Sequence, residues 1–333
     1  MFPLFAADPT RLDPLLALLA ALALDAVIGD PPALFRRVPH PVALLGRLAA
    51  WLERRWNRDD FAEAGRRLSG VACVVLIVAL AALVGFSLDR LAAYPPGGSL
   101  IEIIALAVLL AQRSLYDHVA AVARALGTEG LAGGRAAVAH IVGRDPESLD
   151  EHGVARAAIE SLAENFSDGV VAPVFWFLAL GLPGICAYKA INTLDSMIGH
   201  RSERFRAFGW AAARLDDAAN FVPARIAGAM IALAAALAPA ASAAAAWAMM
   251  RRDAATHRSP NAGWPEAAMA GALGLALAGP RRYGAETVAD AWLGDGTQDA
   301  TVADIRRGLR VYVAACAVNG AVVAILALAR DAM

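Results

Sequence analysis

The run LSGVACVVLIVALAALVGF at residues 68–86 is the stretch that decides the fold of this chain. It contains only apolar residues, glycine and one serine, and it carries no charge. A helix of this length rises about 28 Å, which matches the ~30 Å hydrocarbon core of a bilayer. The sequence therefore predicts a membrane-spanning helix at this position.

The composition of the whole chain points to the same class of protein. Hydrophobic residues make up 59% of the 333 residues, the mean hydropathy is +0.51 and only 18% of the residues are charged. Soluble domains carry about 25% charged residues. The net charge of −1 and the lack of a continuous basic stripe argue against nucleic-acid binding. No linker divides the chain, so we predict one integral membrane domain over residues 1–333, in contact with membrane lipids.

Two further apolar runs predict spans. Residues 100–115 form a weaker span with charged residues near both ends. Residues 311–329 form the last span, and Thr301 with Asp304 three residues later resembles a capping box that opens its helix. The predicted fold class is therefore an all-α, polytopic helical bundle with cytoplasm-facing polar helices.

Two helix starts are marked by an aspartate followed by a proline. Asp13 and Pro14 form an N-cap and a first-turn residue for a helix that ends before Gly29. Asp145 and Pro146 repeat this pair, which predicts that a polar helix begins there.

Helix breakers interrupt two other apolar runs. Gly-Leu-Pro-Gly at 181–184 divides residues 170–188 into two pieces, each too short to span a bilayer. We interpret this run as a re-entrant hairpin, because irregular backbone at membrane depth is tolerated where it lines a protein cavity. Residues 226–250 have Pro239 at their middle. They form either a hairpin or pair of short helices, or a single kinked span.

The distribution of arginines predicts the orientation. Residues 36–67 carry eight arginines, whereas residues 89–99 carry only Arg90. By the positive-inside rule the arginine-rich segment is cytoplasmic. We therefore predict a multi-pass protein of the inner (cytoplasmic) membrane with an active site that faces the cytoplasm.

A polar helix leads into the first broken run. Arg156, Glu160 and Glu164 recur at i, i+4 and i+8 and share one face, and Asn165 and Asp168 follow them. An ionised side chain in hydrocarbon costs at least ~2.5 kcal/mol, so we expect this cluster in a wet cavity with a function. A solvated helix face with ion pairs is the alternative.

The helix after the broken run carries Lys189, the only lysine of the chain. Lys189, Asn192 and Ser196 share a face, with Asp195 and His200 next to it. An ammonium group can bind phosphate or carboxylate as a point charge. A lysine that snorkels at the membrane edge is the alternative.

Two later segments are also polar. Asp216, Asp217 and Asn220 supply hard oxygen ligands of the kind that Mg²⁺ prefers, and capping of a helix N-terminus by paired acids is the alternative. Residues 257–266 are rich in turn formers, and by themselves they predict a surface connection.

These motifs resemble the CobD/CbiB family of cobalamin biosynthesis. They include ESLAEN at 160–165, YKAINTLDSM at 188–197 and SPNAGWPE at 259–266, and the blocks follow the family order from about residue 15 to 296. The other matching blocks lie at 25–30, 39–42, 46–47, 143–145, 168–169, 208–210, 216–220 and 223–225.

The resemblance implies an adenosylcobinamide-phosphate synthase, a polytopic membrane ligase. Such an enzyme joins the free propionate carboxylate of adenosylcobyric acid, a corrinoid, to (R)-1-amino-2-propanol or its O-phosphate. The reaction class implies ATP and Mg²⁺, although Gly-Lys never occurs and a Walker A site is excluded. A homo-oligomer or association with other late cobalamin-pathway enzymes stays open. A membrane transporter or a non-catalytic membrane sensor is the alternative function.

The reaction class also implies roles for the polar residues. We expect Mg²⁺ binding by Glu164, Asp168, Asp216 and Asp217. We expect catalytic roles for Glu160, Glu164, Lys189, Asp195, His200 and His257. We expect substrate binding by Arg156, Asn165, Asn192, Ser196, Trp210, Arg214, Asn220, Asn261, Trp264 and Glu266. The two tryptophans would pack on the corrin ring, with core packing as the alternative, and residues 257–266 would form a wall of the same site.

Overall fold

The computed structural model describes residues 12–94, 97–143, 145–200, 202–283, 286–288 and 290–332. Residues 95–96 of the arginine-poor segment 89–99 and Arg144 of the family motif at 143–145 lie outside these ranges. Helices dominate, which confirms the all-α class. In the described residues the helices are α1 Pro14–Ile28, α2 Pro32–Phe35, α3 Pro41–Trp56, α4 Glu63–Ala92, α5 Gly98–Leu109, α6 Gln112–Val138, α7 Glu151–Phe166, α8 Ala172–Ile198, α9 Trp210–Ala219, α10 Phe221–Ala234, α11 Ala243–Asp253, α12 Gly263–Leu273 and α13 Val302–Asp331.

Four helical stretches are long and apolar enough to cross a membrane, judged by length and composition among the described residues. They are Glu63–Ala92, Gly98–Val138, Glu151–Ile198 and Val302–Arg330. Large apolar side chains such as Val75 on α4 and Leu328 on α13 point outward, with 61% and 71% of their surface exposed. Helices that expose such side chains suit a lipid environment. The predicted spans at 68–86 and 311–329 lie within these stretches.

The predicted span at 100–115 is interrupted. Helix α5 ends at Leu109, Leu110 is extended with φ −88° and ψ 163°, and α6 begins at Gln112. The predicted span therefore lies within the candidate stretch Gly98–Val138, and the helix is broken at Leu110 inside it.

The chain reverses direction at Gly181, inside α8. Gly181 has φ 68° and ψ −155°, a conformation that is essentially restricted to glycine. A Cβ atom on Gly184 would lie 2.3 Å from the carbonyl oxygen of Trp176, whereas residues eight apart in a straight helix are separated by about 12 Å. The predicted break is confirmed. Pro183 is tolerated because it lies in the first turn after the break, where its missing N–H is not needed.

A second reversal of the same kind was not predicted. Gly130 in α6 has φ 68° and ψ −157°. A Cβ atom on Gly134 would lie 3.2 Å from the Cβ atom of Leu126, eight residues earlier. Glycine is common throughout this sequence, so Gly130 carried no signal that separated it from its neighbours.

Residues 226–250 form a pair of short helices rather than a single kinked span. Helix α10 ends at Ala234, and α11 begins at Ala243 after a turn that contains Pro239. The Ser242 hydroxyl caps α11 by accepting the N–H of Ala245 at 3.2 Å. This resolves the two interpretations that the sequence left open.

The caps of the first and last helices follow the sequence. The Asp13 Oδ1 atom accepts the N–H groups of Leu15 and Leu16 at 2.6 and 3.3 Å. The Asp304 carboxylate accepts the backbone N–H of Thr301 at 2.9 Å and its hydroxyl at 2.7 Å. Both predicted starts are confirmed.

The predicted helix start at Asp145 was wrong. Asp145 caps only a short 3₁₀ turn, Pro146–Ser148, and Leu149 is then extended. Helix α7 begins at Glu151, where the Asp150 Oδ1 atom accepts the N–H of Gly153 at 2.6 Å. Asp150, five residues downstream of Asp145, therefore caps the helix instead.

A small amount of sheet follows α12 and was not predicted. Strand β1 Leu277–Ala278 pairs antiparallel with β4 Trp292–Leu293. Strand β2 Arg281–Tyr283 pairs antiparallel with β3 Glu286–Val288. These strands are too short to have a recognisable period of two.

The chain forms two compact units, each discontinuous in sequence. The first contains residues 1–111, 172–220 and 323–333, and the second contains residues 112–171 and 221–322. The first has a core around Ile77, Leu106 and Phe177, and the second has a core around Ile159 and Phe166. The prediction of a single domain stays a prediction.

We expect Gly130→Ala to destabilise the protein by about 1–3 kcal/mol, because alanine is strained at φ 68° although the space beside Gly130 is open. Gly127→Ala is the matched control, since Gly127 lies in the regular part of the same helix. It should be neutral or stabilising by about 0.5–1 kcal/mol. Thermal unfolding of both variants in detergent tests this, and equal melting temperatures would contradict it.

Candidate functional site

The predicted site residues fall into both units. The first unit holds Lys189, Asn192, Asp195, Ser196, His200, Trp210, Arg214, Asp216, Asp217 and Asn220. The second unit holds Arg156, Glu160, Glu164, Asn165, Asp168, His257, Asn261, Trp264 and Glu266. We name one polar group in each unit: the carboxylate cluster (Asn192, Asp195, Asp216, Asp217 and Asn220) in the first and the imidazole cluster (His257, Ser259, Asn261 and Glu266) in the second.

A buried hydrogen-bonded chain organises the carboxylate cluster. The Tyr188 hydroxyl donates to Asn220 Oδ1 at 2.9 Å, and Asn220 Nδ2 donates to Asp216 Oδ2 at 3.0 Å. Tyr188 and Asn220 are each 1% exposed. Because the Asn220 amide is hydrogen-bonded at both its oxygen and its nitrogen, its orientation is determined. The position of the Asp216 carboxyl on α9 is therefore coupled to α8.

Asp216 is placed where its negative charge is costly. Burial raises its pKa to about 7, the neighbouring Asp195 and Asp217 raise it as well, and the amides of Asn220 and Asn192 oppose the shift. Its Oδ1 atom is buried and accepts no hydrogen bond from the described residues. A carboxyl group in this situation is suited to accept a cation.

The two aspartates do not cap a helix N-terminus. Asp216 and Asp217 lie in the last turn of α9, which ends at Ala219. Carboxylates near a helix C-terminus oppose the helix dipole. The capping alternative was therefore wrong, and helix stability does not explain why both residues are there.

The other site residues of α8 lie around this cluster. Asp195 is within electrostatic range of His200 and of Asp217. The Ser196 hydroxyl is exposed and donates to the carbonyl oxygen of Asn192 at 2.9 Å. His200 is also exposed, just beyond the end of α8. Solvent can therefore reach this side of the cluster.

His40 is a neighbour of Lys189 that the sequence analysis did not assign to the site. Its Nδ1 atom accepts the N–H of Val42 at 3.2 Å at the start of α3, and its Nε2 atom lies 3.7 Å from Asp30 Oδ1. Burial lowers its pKa, Asp30 opposes this shift, and Lys189 contributes to it. The family motif at 39–42 was the signal that could have identified it.

Arg214 and Trp210 on α9 have different surroundings from those expected. Arg214 Nη1 lies 3.6 Å from Asp217 Oδ2, so its charge is shared with an acid of the cluster. Trp210 is 40% exposed, and the guanidinium of Arg67 lies 4.0 Å from its ring centroid. Trp210 is therefore not a core residue.

The imidazole cluster is buried in the second unit. His257 Nε2 lies 3.9 Å from Glu266 Oε2, and these side chains are 5% and 2% exposed. His257 Nδ1 accepts the N–H of Ser259 at 3.1 Å, so the proton of the neutral ring lies on Nε2, facing Glu266. Asn261 is 7% exposed. The prediction of a surface connection was wrong, because this segment packs into the interior.

Helix α7 divides its predicted site residues between different surroundings. Glu160 is 3% exposed and its Oε1 atom accepts the N–H of Ala278 at 2.9 Å, so it anchors β1. Arg156 donates to the carbonyl oxygen of Gln298, and its guanidinium lies 5.6 Å from the Trp292 ring centroid.

The remaining polar residues of this segment are more accessible. Glu164 and Asn165 are exposed, and Asn165 Nδ2 donates to the carbonyl oxygen of Ser161 at 2.9 Å. Asp168 is half-buried in a π-helical turn, Ser167–Val171. Such turns are frequent at functional sites.

The donor set of the carboxylate cluster fits Mg²⁺. Within the described residues, no three His, Cys, Asp or Glu side chains converge as they would around a metal held by protein alone. Mg²⁺ usually takes one or two carboxylates and completes its shell with water and substrate phosphates. Asp216, with its unbonded Oδ1 atom, and Asp217 meet that requirement. Glu164 and Asp168 lie in the second unit.

The sequence matches known proteins over most of its length. The model of the family described as CobD/CbiB protein matches residues 18–312. A cobalamin biosynthesis protein CobD from Brucella anthropi is 53% identical over 301 residues, which covers 90% of this chain and 92% of that protein. The CobD protein from a Sinorhizobium species is 51% identical over 317 residues, 94% of this chain and 98% of that protein.

A third relative comes from another genus. The CobD protein of Rhodobacter capsulatus is 48% identical over 311 residues, which covers 93% of this chain and 96% of that protein. No solved structure gives a significant match. The match spans the residues of both polar clusters, and this chain therefore belongs to the CobD/CbiB family of cobalamin biosynthesis proteins.

Proposed function

We propose that this protein is an ATP-dependent ligase that joins the free propionate carboxylate of adenosylcobyric acid to (R)-1-amino-2-propanol or its O-phosphate. The product is adenosylcobinamide or its phosphate. The family supports the pathway, and the resemblance of the motifs suggests the reaction. The structural observation that carries the proposal is the carboxylate cluster, in which Asp216, half-buried and with a buried, unbonded Oδ1 atom, adjoins two further aspartates.

The chemistry sets three requirements for the site. A carboxylate does not react with an amine near neutral pH, so it must first be activated. Its oxygen would attack the γ-phosphorus of ATP, which forms an acyl phosphate and releases ADP. The amine nitrogen then attacks the acyl carbon, phosphate leaves, and the ammonium proton passes to a base. The site must therefore hold a divalent cation, neutralise phosphate oxygens and accept a proton.

Asp216 and Asp217 would hold Mg²⁺. When bound there, the ion would neutralise the charge on phosphate oxygens. Asn220 would keep the Asp216 carboxyl in place through its hydrogen bond at 3.0 Å. Lys189 would add an ammonium group to the same unit.

The two histidines are suited to different tasks. His257 is 95% covered and its proton faces Glu266, so it would position Asn261 and Trp264 of the same segment rather than accept a substrate proton. His200 is exposed and lies within electrostatic range of Asp195. A substrate proton can reach an exposed imidazole, so His200 is the better candidate for the general base.

Purified protein in detergent or nanodiscs should convert adenosylcobyric acid, aminopropanol phosphate, ATP and Mg²⁺ to the amide, with nucleotide consumption in step with product. Mass spectrometry of the corrinoid measures this. No product with any nucleotide or divalent ion, in protein that is folded, would contradict the ligase. Uptake of corrinoid into proteoliposomes without amide formation would favour a transporter.

Lys189→Ala, Asp217→Asn and Glu164→Gln should each lower kcat by about 10²-fold or more, because each removes a charge that the reaction needs. The matched control is Asp117→Asn, which removes an exposed acid whose Oδ2 atom lies 2.9 Å from Arg113 Nε. It should keep normal turnover. Near-normal rates in all three site variants would show that the reaction does not need these residues.

Asp216→Asn tests the placement of the buried carboxyl. The unfolded state ionises near pH 4 and the folded state near pH 7, so the folded protein binds more protons in this window. Stability of metal-free wild type should therefore fall as pH rises through the window, and the variant should not show this fall.

Thermal unfolding in EDTA from pH 5 to pH 8 measures the difference. The melting temperature of Asp216→Asn should exceed that of wild type by an amount that grows toward pH 8. Added Mg²⁺ at pH 8 should stabilise wild type more than the variant. Parallel curves for both proteins would show that Asp216 is not a costly buried acid.

A further inference from the structure

Arg225 in α10 is held by two aromatic rings. Its guanidinium carbon lies 3.6 Å from the ring centroid of Phe221 and 4.5 Å from that of Trp264. Nη1 also donates to the carbonyl oxygen of Phe221. All three residues belong to the second unit. The guanidinium thus has a defined position on the protein before any ligand arrives.

The charge of Arg225 is not neutralised by the described residues. No carboxylate oxygen among them lies within ion-pair distance of it. Arg204, by contrast, lies 2.7 Å from Glu53, and Arg307 lies 2.8 Å from Asp304. Burial lowers the pKa of Arg225, and no neighbouring acid counters this. Partial removal of a cation from water without a counter-charge carries a free-energy cost, which a bound anion would offset.

The aromatic contacts determine how an anion could approach. Rings that lie against a guanidinium cover its flat face and leave the N–H groups in its plane available. One edge of the guanidinium group, at Nη1, already donates a hydrogen bond to the carbonyl oxygen of Phe221. The remaining N–H groups match two oxygens of a phosphoryl group, which guanidinium binds through two parallel hydrogen bonds.

Arg225 is linked to the imidazole cluster through Trp264, which belongs to the same segment of the chain as Asn261 and Glu266. Trp264 and Glu266 lie in the first turn of α12, and Trp264 follows Asn261 by three residues. Phe221 is 51% exposed, so a ligand can reach the stack from outside. Arg156 of the same unit is also held by a backbone carbonyl and an indole ring. This second unit therefore has two positioned arginines with uncompensated charge.

We propose that Arg225, held against Phe221 and Trp264, binds a phosphoryl group of a substrate. The proposal rests on the ligase function and adds a binding residue to it. The phosphoryl group belongs either to the nucleotide or to the phosphorylated amine donor. A doubly charged phosphoryl group compensates the partly buried cation better than a neutral hydroxyl, so the residue discriminates between aminopropanol phosphate and aminopropanol if the donor is its ligand.

Ligand binding to the full-length protein in detergent, measured by thermal shift and by calorimetry, tests this proposal without turnover. The probes are a non-hydrolysable ATP analogue with Mg²⁺, aminopropanol O-phosphate, aminopropanol, and phosphatidylglycerol. The variants are Arg225→Gln and Arg225→Lys. The matched control is Arg55→Gln, which removes an exposed arginine whose guanidinium lies 5.0 Å from the Trp51 ring.

Arg225→Gln should weaken binding of one phosphorylated substrate by about tenfold or more, because a charged bidentate contact is lost. Arg225→Lys should recover part of the affinity, since it restores the charge without the planar fork. Arg55→Gln should bind as wild type does. The probe that weakens identifies the source of the phosphoryl group.

Two results would overturn the proposal. One is unchanged affinity of both phosphorylated substrates in folded Arg225→Gln, or in Arg225→Lys if the glutamine variant does not fold. The other is a loss confined to stabilisation by phosphatidylglycerol, which would make Arg225 a lipid contact. Failure of the proposed ligase function would be seen separately. In that case the wild-type protein would make no amide although it still binds the phosphorylated ligands.

Discussion

In apolar surroundings every backbone N–H and C=O group must be bonded within the protein, and this constraint governs how the chain can change direction. At Gly181 and Gly130 the direction of the helix changes over a single residue with φ 68°. A longer loop would leave several polar groups without partners. A single glycine adds no further loop residues, so the groups without a helical partner are confined to the ends of the two helical halves.

The placement of the carboxylate cluster depends on this reversal. Because the chain returns at Gly181, the second half of α8 packs against α9, and Tyr188 can reach Asn220 at 2.9 Å. Asn220 then fixes Asp216. An acid beside two other acids lowers the stability of the folded state, and the packing of α8 against α9 holds it there despite this cost. Such placement is expected where charge serves binding or chemistry rather than stability.

Prediction from the sequence was reliable wherever a signal was local. Apolar length identified the spans at 68–86 and 311–329, and hydrogen-bonding chemistry identified the caps at Asp13 and Thr301. It failed where two local signals competed, as at Asp145 and Asp150, or where no signal existed, as at Gly130. The order of the motifs identified the family, but it did not predict how the site residues are arranged in space.

The sequence by itself therefore determined the membrane class, the break at Gly181 and the family, since these follow from hydrophobic length, helix breakers and ordered motifs. Only the tertiary structure decided the surroundings of each polar residue. It buried His257, Asn261 and Glu266, and it placed Asp216 and Asp217 at the wrong end of a helix for capping. It also left Arg225 against two rings, with no acid among the described residues at ion-pair distance. Burial and partner distance arise from contacts between distant parts of the chain, which sequence spacing does not encode.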